Sequence, residues 1–362
     1  VNVMKIVSVV GTRPNFIKEA LVNRELRERG IEEVLVHTGQ HYDYEMSKIF
    51  FKELNIPDPD YNLQVGPGLP GKQLAEMIEG LEKVLMAEKP DVTLVYGDVT
   101  STLAGAVASV RMRVPVAHVE AGIRTNARYN PEEINRRGTD ALSELLMANT
   151  YDAYETLLRE NHVASEIVLT GDIMKDVLMS TIEKFGISVE RGDYHLCTLH
   201  RAENVDDPRN LASIVRALID CGERVIFPVH PRTRKRLAEF GLEKQLRAVP
   251  RVEITEPKGY VEFVRLLCGA DKVITDSGGV RREAYILGKP AIIAIDLTWF
   301  PCVLKAGWKR VTGPNTKKIV GAIREFEPPS DHPDLFGDGR AHVKIVNAIV
   351  GRFGASERSA SS

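Results

Sequence analysis

Residues 5 to 10, KIVSVV, form a short apolar run that breaks off at Gly11-Thr12-Arg13-Pro14-Asn15 and passes into the helix-periodic stretch FIKEALVNRELRERG. This strand–turn–helix unit constrains the fold because it recurs. EVLVHTG, DVTLVYG and VPVAHVEAG read as further strands, with helices around YEMSKIFFKEL, from Leu74 to Ala87 and over STLAGAVASVRM. None of these runs alternates strictly between apolar and polar residues, which suggests a parallel sheet buried on both faces and joined through helices. After a helical stretch from Met174 to Phe185 the alternation restarts with DYHLCTLH, LASIVRALIDCG, RVIFPVH, VEITEP, YVEFVRLLCGA, KVITDSGG, VRREAYILG and PAIIAID. At 362 residues the chain suits two domains better than one. The expectation is an α/β protein of two doubly wound domains with an interdomain cleft. Residues 1–173 and 174–345 form the domains, and 346–362 the end of the last helix and a flexible tail.

Charge and punctuation narrow the function. Lysine and arginine number 48 against 50 acidic residues, so there is no net basic field for nucleic acid. The local cluster HPRTRKR has no aromatic platform beside it and reads as a solvated helix start. The four cysteines, Cys197, Cys221, Cys268 and Cys302, lack any CxxC spacing and are expected as free thiols in a reducing cytosol. The opening apolar run is too short for a signal peptide, and no window is long enough for a membrane span. A cytoplasmic protein is expected. GxGxxG, Walker, GxSxG and HExxH patterns are absent, and the histidines are not spaced as a metal set.

In open α/β sheets, functional groups gather where strands end. Five segments fall there, each with two readings. At Gly11–Asn15, backbone amides and Arg13 could hold a phosphate with Lys18 near the first helical turn, or the segment is a plain turn. Asp98, in GDVTST, is either a working carboxylate or part of a helix cap with Thr100 and Ser101. Glu120 follows VPVAHV, and Glu132 and Glu133 open a helix expected to continue through INRRGTDALSELL. Complementing the helix N-terminus accounts for one of that pair but leaves Glu120 unexplained. Converging carboxylates would split their pKa values into acid and base. In TLHRAEN, His200 could carry a proton and Arg201 hold negative charge, or either could be structural. Ser277-Gly278-Gly279 suits a diphosphate at a helix start, with Glu283 toward ribose hydroxyls and His230 ending another strand.

Taken in order, GTRPN, TGQHYDYEM, GDVTSTLAG, HVEAGIRT, PEEINR, LHRAENVDD, FPVHPRTR, TDSGG and FGDGRA closely resemble the non-hydrolysing UDP-N-acetylglucosamine 2-epimerases across roughly residues 5 to 350. The resemblance implies a glycosyltransferase-B-like fold of two Rossmann-like domains, UDP in the cleft and a homodimer. It also implies reversible inversion at sugar C2 through elimination of UDP to 2-acetamidoglucal, without nicotinamide or catalytic metal. By matching motifs, Asp98, Glu120 and Glu132 look like the catalytic carboxylates, and His200 assists UDP departure. Arg13, His230, Ser277, Gly278, Gly279 and Glu283 look like UDP ligands, with Lys18 and Arg201 close to substrate. Glu133 takes a supporting part, and Gln40-His41 falls in the region where some relatives bind an activating nucleotide sugar. The chain departs from the family at Thr298-Trp299-Phe300-Pro301, usually Thr-Glu-Arg-Pro, and at Arg282-Glu283, usually two glutamates. A hydrolysing epimerase, a glycosyltransferase of the same fold and a non-catalytic nucleotide-sugar sensor stand as alternatives.

Overall fold

The computed structural model describes residues 3–40, 58–125, 127–296 and 300–354, with Arg13 described in its backbone only. The chain forms two compact units, Val1–Val177 with Phe336–Ser362, and Leu178–Leu335. In the first, β1 (Lys5–Val10), β2 (Glu32–His37), β3 (Tyr61–Asn62), β4 (Val92–Tyr96), β5 (Val116–Ala121), β6 (Leu145–Ala148) and β7 (Glu166–Leu169) form a sheet of order β3-β2-β1-β4-β5-β6-β7. In the second, β8 (His195–Thr198), β9 (Val225–Pro228), β10 (Val252–Thr255), β11 (Val273–Thr275), β12 (Ala291–Ile293) and β13 (Lys309–Val311) follow the order β10-β9-β8-β11-β12-β13. Every pairing is parallel. Both units are thus Rossmann-like. In each, the strand order reverses beside the first strand, between β1 and β4 and between β8 and β11.

The local sequence explains these elements. All five residues of β4, VTLVY, are buried, as an inner parallel strand requires. On one face of the first sheet Val7, Val9, Val36 and Val95 share a core with Met77 and Leu81 of the helix Pro70–Glu88 and Ala104 and Ala108 of the helix Thr100–Arg111. The second unit has its own core, in which Leu211, Ile214 and Leu218 of the helix Pro208–Asp220 meet Phe227 and Ile274.

Two differences from the sequence reading stand out. The helix opening at Pro131 stops at Leu142, not at Leu146. Ser143 takes an extended backbone and Glu144 N donates to Val116 O at 2.9 Å, so Leu145–Ala148 joins the sheet as β6. The chain also returns to its first unit at Phe336. The helix Ala341–Phe353 buries Ile345, Val346 and Ile349, packs beside the helix Arg13–Glu28, and accepts a 2.6 Å bond from Arg29 at Asn347 Oδ1. That return needs Gly337 at φ +85°, where an added Cβ would lie 2.9 Å from Gly171 Cα. The helix expected around YEMSKIFFKEL lies outside the described residues. Among those described, no helix is long and apolar enough to cross a membrane, and all four cysteines are free.

Beneath β1, Glu19 of the helix Arg13–Glu28 is fully buried and faces Glu33 and Tyr96. Burial, with the Glu33 charge adding to it, pushes the Glu19 carboxyl well above the usual carboxylate range. The folded chain therefore keeps a proton that the unfolded chain releases, and its stability falls as pH rises through the folded value. Glu19→Gln is expected to be more stable than the unsubstituted protein at pH 8, with the gap closing below the ordinary glutamate pKa. Urea denaturation across pH checks this.

Candidate active site

The first unit's functional side chains emerge where β1, β4 and β5 end. Asn15 secures the turn after β1: its Oδ1 accepts from Gly11 N at 3.3 Å and Thr12 N at 3.2 Å, and its Nδ2 donates to Tyr96 O at 3.1 Å. Arg13 opens the helix, and its side chain lies outside what is described. One turn on, Lys18 is buried and its ammonium donates to Glu120 Oε2, also buried. Glu120 takes a left-handed backbone, φ +68°, at a register shift between β5 and β6. Irregularities of this kind re-aim a side chain and are held in place by their surroundings.

Gly97, at φ +68°, turns the chain after β4. A Cβ there would lie 3.2 Å from Lys18 Nζ and 3.5 Å from Glu120 Oε2. The adjacent Asp98 carboxylate pairs with the Arg136 guanidinium, and its carbonyl accepts from Asn135 Nδ2 at 3.0 Å. Asn130 caps the helix Pro131–Leu142 by accepting from Glu132 N at 2.8 Å and Glu133 N at 3.2 Å. The two glutamates then part company. Glu133 is buried and accepts from Thr125 N and Oγ1, both at 2.9 Å, Arg137 Nε at 2.8 Å and Arg136 at 3.3 Å. Burial raises its carboxyl, but these donors outweigh it and hold it below the usual range. Glu132 is half-buried and makes no side-chain hydrogen bond or ion pair with a described residue. Gln40 Oε1 accepts from Ser101 N at 3.0 Å and Oγ at 2.6 Å, serving the next helix start; His41 lies outside the described residues.

In the second unit the organiser is a residue that sequence reasoning missed. Asp276 is fully buried and accepts from His200 N at 3.0 Å, Arg201 N at 3.1 Å and Asn204 Nδ2 at 3.1 Å. It ties the end of β8 to the end of β11, across the reversal in strand order. The only available signal was an acid directly after KVIT, at the end of a strand. Ser277 caps the helix Gly278–Ile286, accepting from Val280 N at 3.4 Å, while Gly278 and Gly279 form its first turn. Burial holds His200 below the ordinary histidine range, with Asp276 opposing and the charge of Arg201 reinforcing it. Burial and the Arg201 charge also bring Arg281 down to about 10. His230, 5.8 Å from the His200 ring, caps its own helix by accepting from Arg232 N at 3.2 Å. Glu283 is buried and accepts from the Tyr260 hydroxyl at 3.3 Å.

The first unit thus sets carboxylates beside cations at strand ends, a setting for proton transfer and for stabilising positive charge at a reacting carbon. The second sets the start of the helix Gly278–Ile286 near His200, Arg201 and Arg281, a setting for phosphate. Thr298 and Trp299 lie outside the described residues; Phe300, at φ +54°, has the Arg282 guanidinium 5.8 Å from its ring centre. No described group of three His, Cys, Asp or Glu residues gathers as a metal set. Gly97→Ala is expected to destabilise the protein by about 1–2 kcal/mol through its left-handed backbone alone, read by chemical denaturation.

A family description of UDP-N-acetylglucosamine 2-epimerase matches residues 24–350. A UDP-N-acetylglucosamine 2-epimerase homolog of Methanococcus maripaludis is 44% identical, covering 96% of this chain and 99% of its own. The UDP-2,3-diacetamido-2,3-dideoxy-D-glucuronate 2-epimerase of Pseudomonas aeruginosa is 40% identical, covering 96% and 99%. The crystal structure of Methanocaldococcus jannaschii UDP-GlcNAc 2-epimerase in complex with UDP-GlcNAc and UDP superposes with a TM-score of 0.87 at 39% identity, covering 96% of this chain and 100% of that one. On these matches, the chain belongs to the UDP-N-acetylglucosamine 2-epimerase family.

Proposed function

We propose that the protein interconverts UDP-N-acetylglucosamine and UDP-N-acetylmannosamine without hydrolysis. The observation that carries this reading is Glu120, a buried carboxylate on left-handed backbone, paired with Lys18 beside the Asp98 turn. A base removes the C2 proton, the C1–O bond to UDP breaks, and 2-acetamidoglucal and UDP remain bound. UDP then returns to C1 as C2 takes a proton on the opposite face. Asp98, Glu120 and Glu132 divide the carboxylate work on the two faces, and they stabilise the oxocarbenium character that develops as UDP leaves. Departing UDP must be retained, since its escape turns epimerisation into hydrolysis. Arg13, His230, Ser277, Gly278, Gly279 and Glu283 take the nucleotide, with Arg201 near the diphosphate. A diphosphate favours protonated His200, which can then hold a proton against the leaving oxygen. The family resemblance supports a homodimer, and the free thiols support a cytoplasmic location.

The 40% identity to the Pseudomonas enzyme favours one second reading, the same C2 chemistry on a UDP-diacetamido-glucuronate. Proton and phosphorus NMR in deuterium oxide, with each sugar in turn, is the test. UDP-N-acetylmannosamine carrying deuterium at C2 is the expected product of the first sugar. Binding without C2 exchange for either sugar overturns the epimerase reading, and free N-acetylmannosamine with UDP indicates a hydrolysing enzyme. Glu120→Gln and Glu132→Gln are each expected to lower kcat by about 100-fold or more with UDP binding largely kept. Full turnover in both rejects their roles.

A further inference from the structure

His118, two residues before Glu120, and Asp140, on the helix Pro131–Leu142, are both entirely buried. His118 Nε2 lies 2.7 Å from the Gly97 carbonyl oxygen, and Nδ1 lies 2.7 Å from Asp140 Oδ1. The second Asp140 oxygen accepts from Gly122 N at 3.1 Å and pairs with Arg124 at 2.7 Å. Burial would raise the Asp140 carboxyl, but His118 and Arg124 hold it below the usual range, so it is an acceptor. The Gly97 carbonyl and the Asp140 carboxylate thus offer an acceptor to each ring nitrogen. Gly97 N meanwhile donates to Val119 O at 2.9 Å.

These bonds enclose Glu120. His118 stands before it and Gly122 after it, and Asp140 grips both. Gly97, against which Lys18 and Glu120 lie, is held by its N–H and its carbonyl from Val119 and His118. A non-glycine residue stays in left-handed backbone only where its surroundings over-determine it. We propose that His118 and Asp140 are positioning residues for the C2 chemistry, clamping Glu120 and the Gly97 turn into the geometry in which Glu120 meets the sugar. This rests on the epimerase reading. Neither residue touches the sugar; both act through the backbone on either side of Glu120.

The test compares His118→Phe, His118→Gln and the unsubstituted protein, with kcat and KM for UDP-N-acetylglucosamine, UDP affinity by calorimetry, and the ¹⁵N spectrum of the labelled histidine rings. The expected result is that His118→Phe lowers kcat about 100-fold, the scale of a misplacement near 1 Å, with KM and UDP affinity little changed. His118→Gln, which keeps one donor, recovers part of the loss, and the His118 ring shows protons on both nitrogens. Unchanged kcat in His118→Phe overturns the proposal. So does a loss of UDP affinity in step with kcat, which marks a merely structural residue. If His118→Phe does not fold, the Gln variant and the ring spectrum decide, and a bare ring nitrogen overturns it. Should the unsubstituted protein bind UDP yet show no C2 exchange, the epimerase reading fails, while the ring spectrum still decides the clamp.

Discussion

Within each sheet every strand runs the same way, and the rest of the structure follows from that constraint. Parallel strands force the chain to leave a sheet along one edge, so the turns after β1, β4 and β5 emerge on one side of the first sheet, and those after β8 and β11 on one side of the second. Where the order reverses, successive helices go to opposite faces and leave the strand ends uncovered by either. Charged groups placed there sit partly in the sheet's apolar surroundings, and several are paired: Lys18 with Glu120, Arg136 with Asp98, Arg124 with Asp140. Buried pairs of this kind add little stability over apolar packing, and losing one partner is costly. Their placement along a single edge points to chemistry rather than to holding the fold together.

The two units use one device for different ends. Each hides an aspartate completely: Asp140 in the first accepts from Gly122 N and meets the His118 ring on either side of Glu120, and Asp276 in the second accepts from His200 N and Arg201 N. In the first the residue served is a carboxylate, Glu120; in the second it is His200 and the basic residues around it.

The sheet, the restart of the pattern and the strand-end positions of Glu120, Asp98 and His200 were legible because each depends on neighbours within a few residues. Asp140 and Asp276 were not. An acid between Thr139 and Ala141 looks like the solvated side of a helix, and an acid before Ser277 looks like turn chemistry. Their partners, His118 and His200, lie 22 and 76 residues away in sequence. Leu145 and Leu146 were absorbed into a helix because a short apolar run carries no period; pairing with β5 and β7 makes them the start of β6. Glu132 and Glu133 were told apart in the sequence by the family resemblance alone, and the structure adds what surrounds them: the one has no side-chain partner described, the other has four donors.

The return of the chain at Phe336 has a bearing on synthesis. The second unit is one continuous stretch and can close on itself once its last strand and helix have been made. The first unit cannot. Its helix Arg13–Glu28 is translated well before the helix carrying Ile345, Val346 and Ile349, with the whole second unit between them. Over that interval the first unit presents an apolar face with no cover, and the nascent chain is exposed to aggregation or chaperone capture in the unit that carries Glu120.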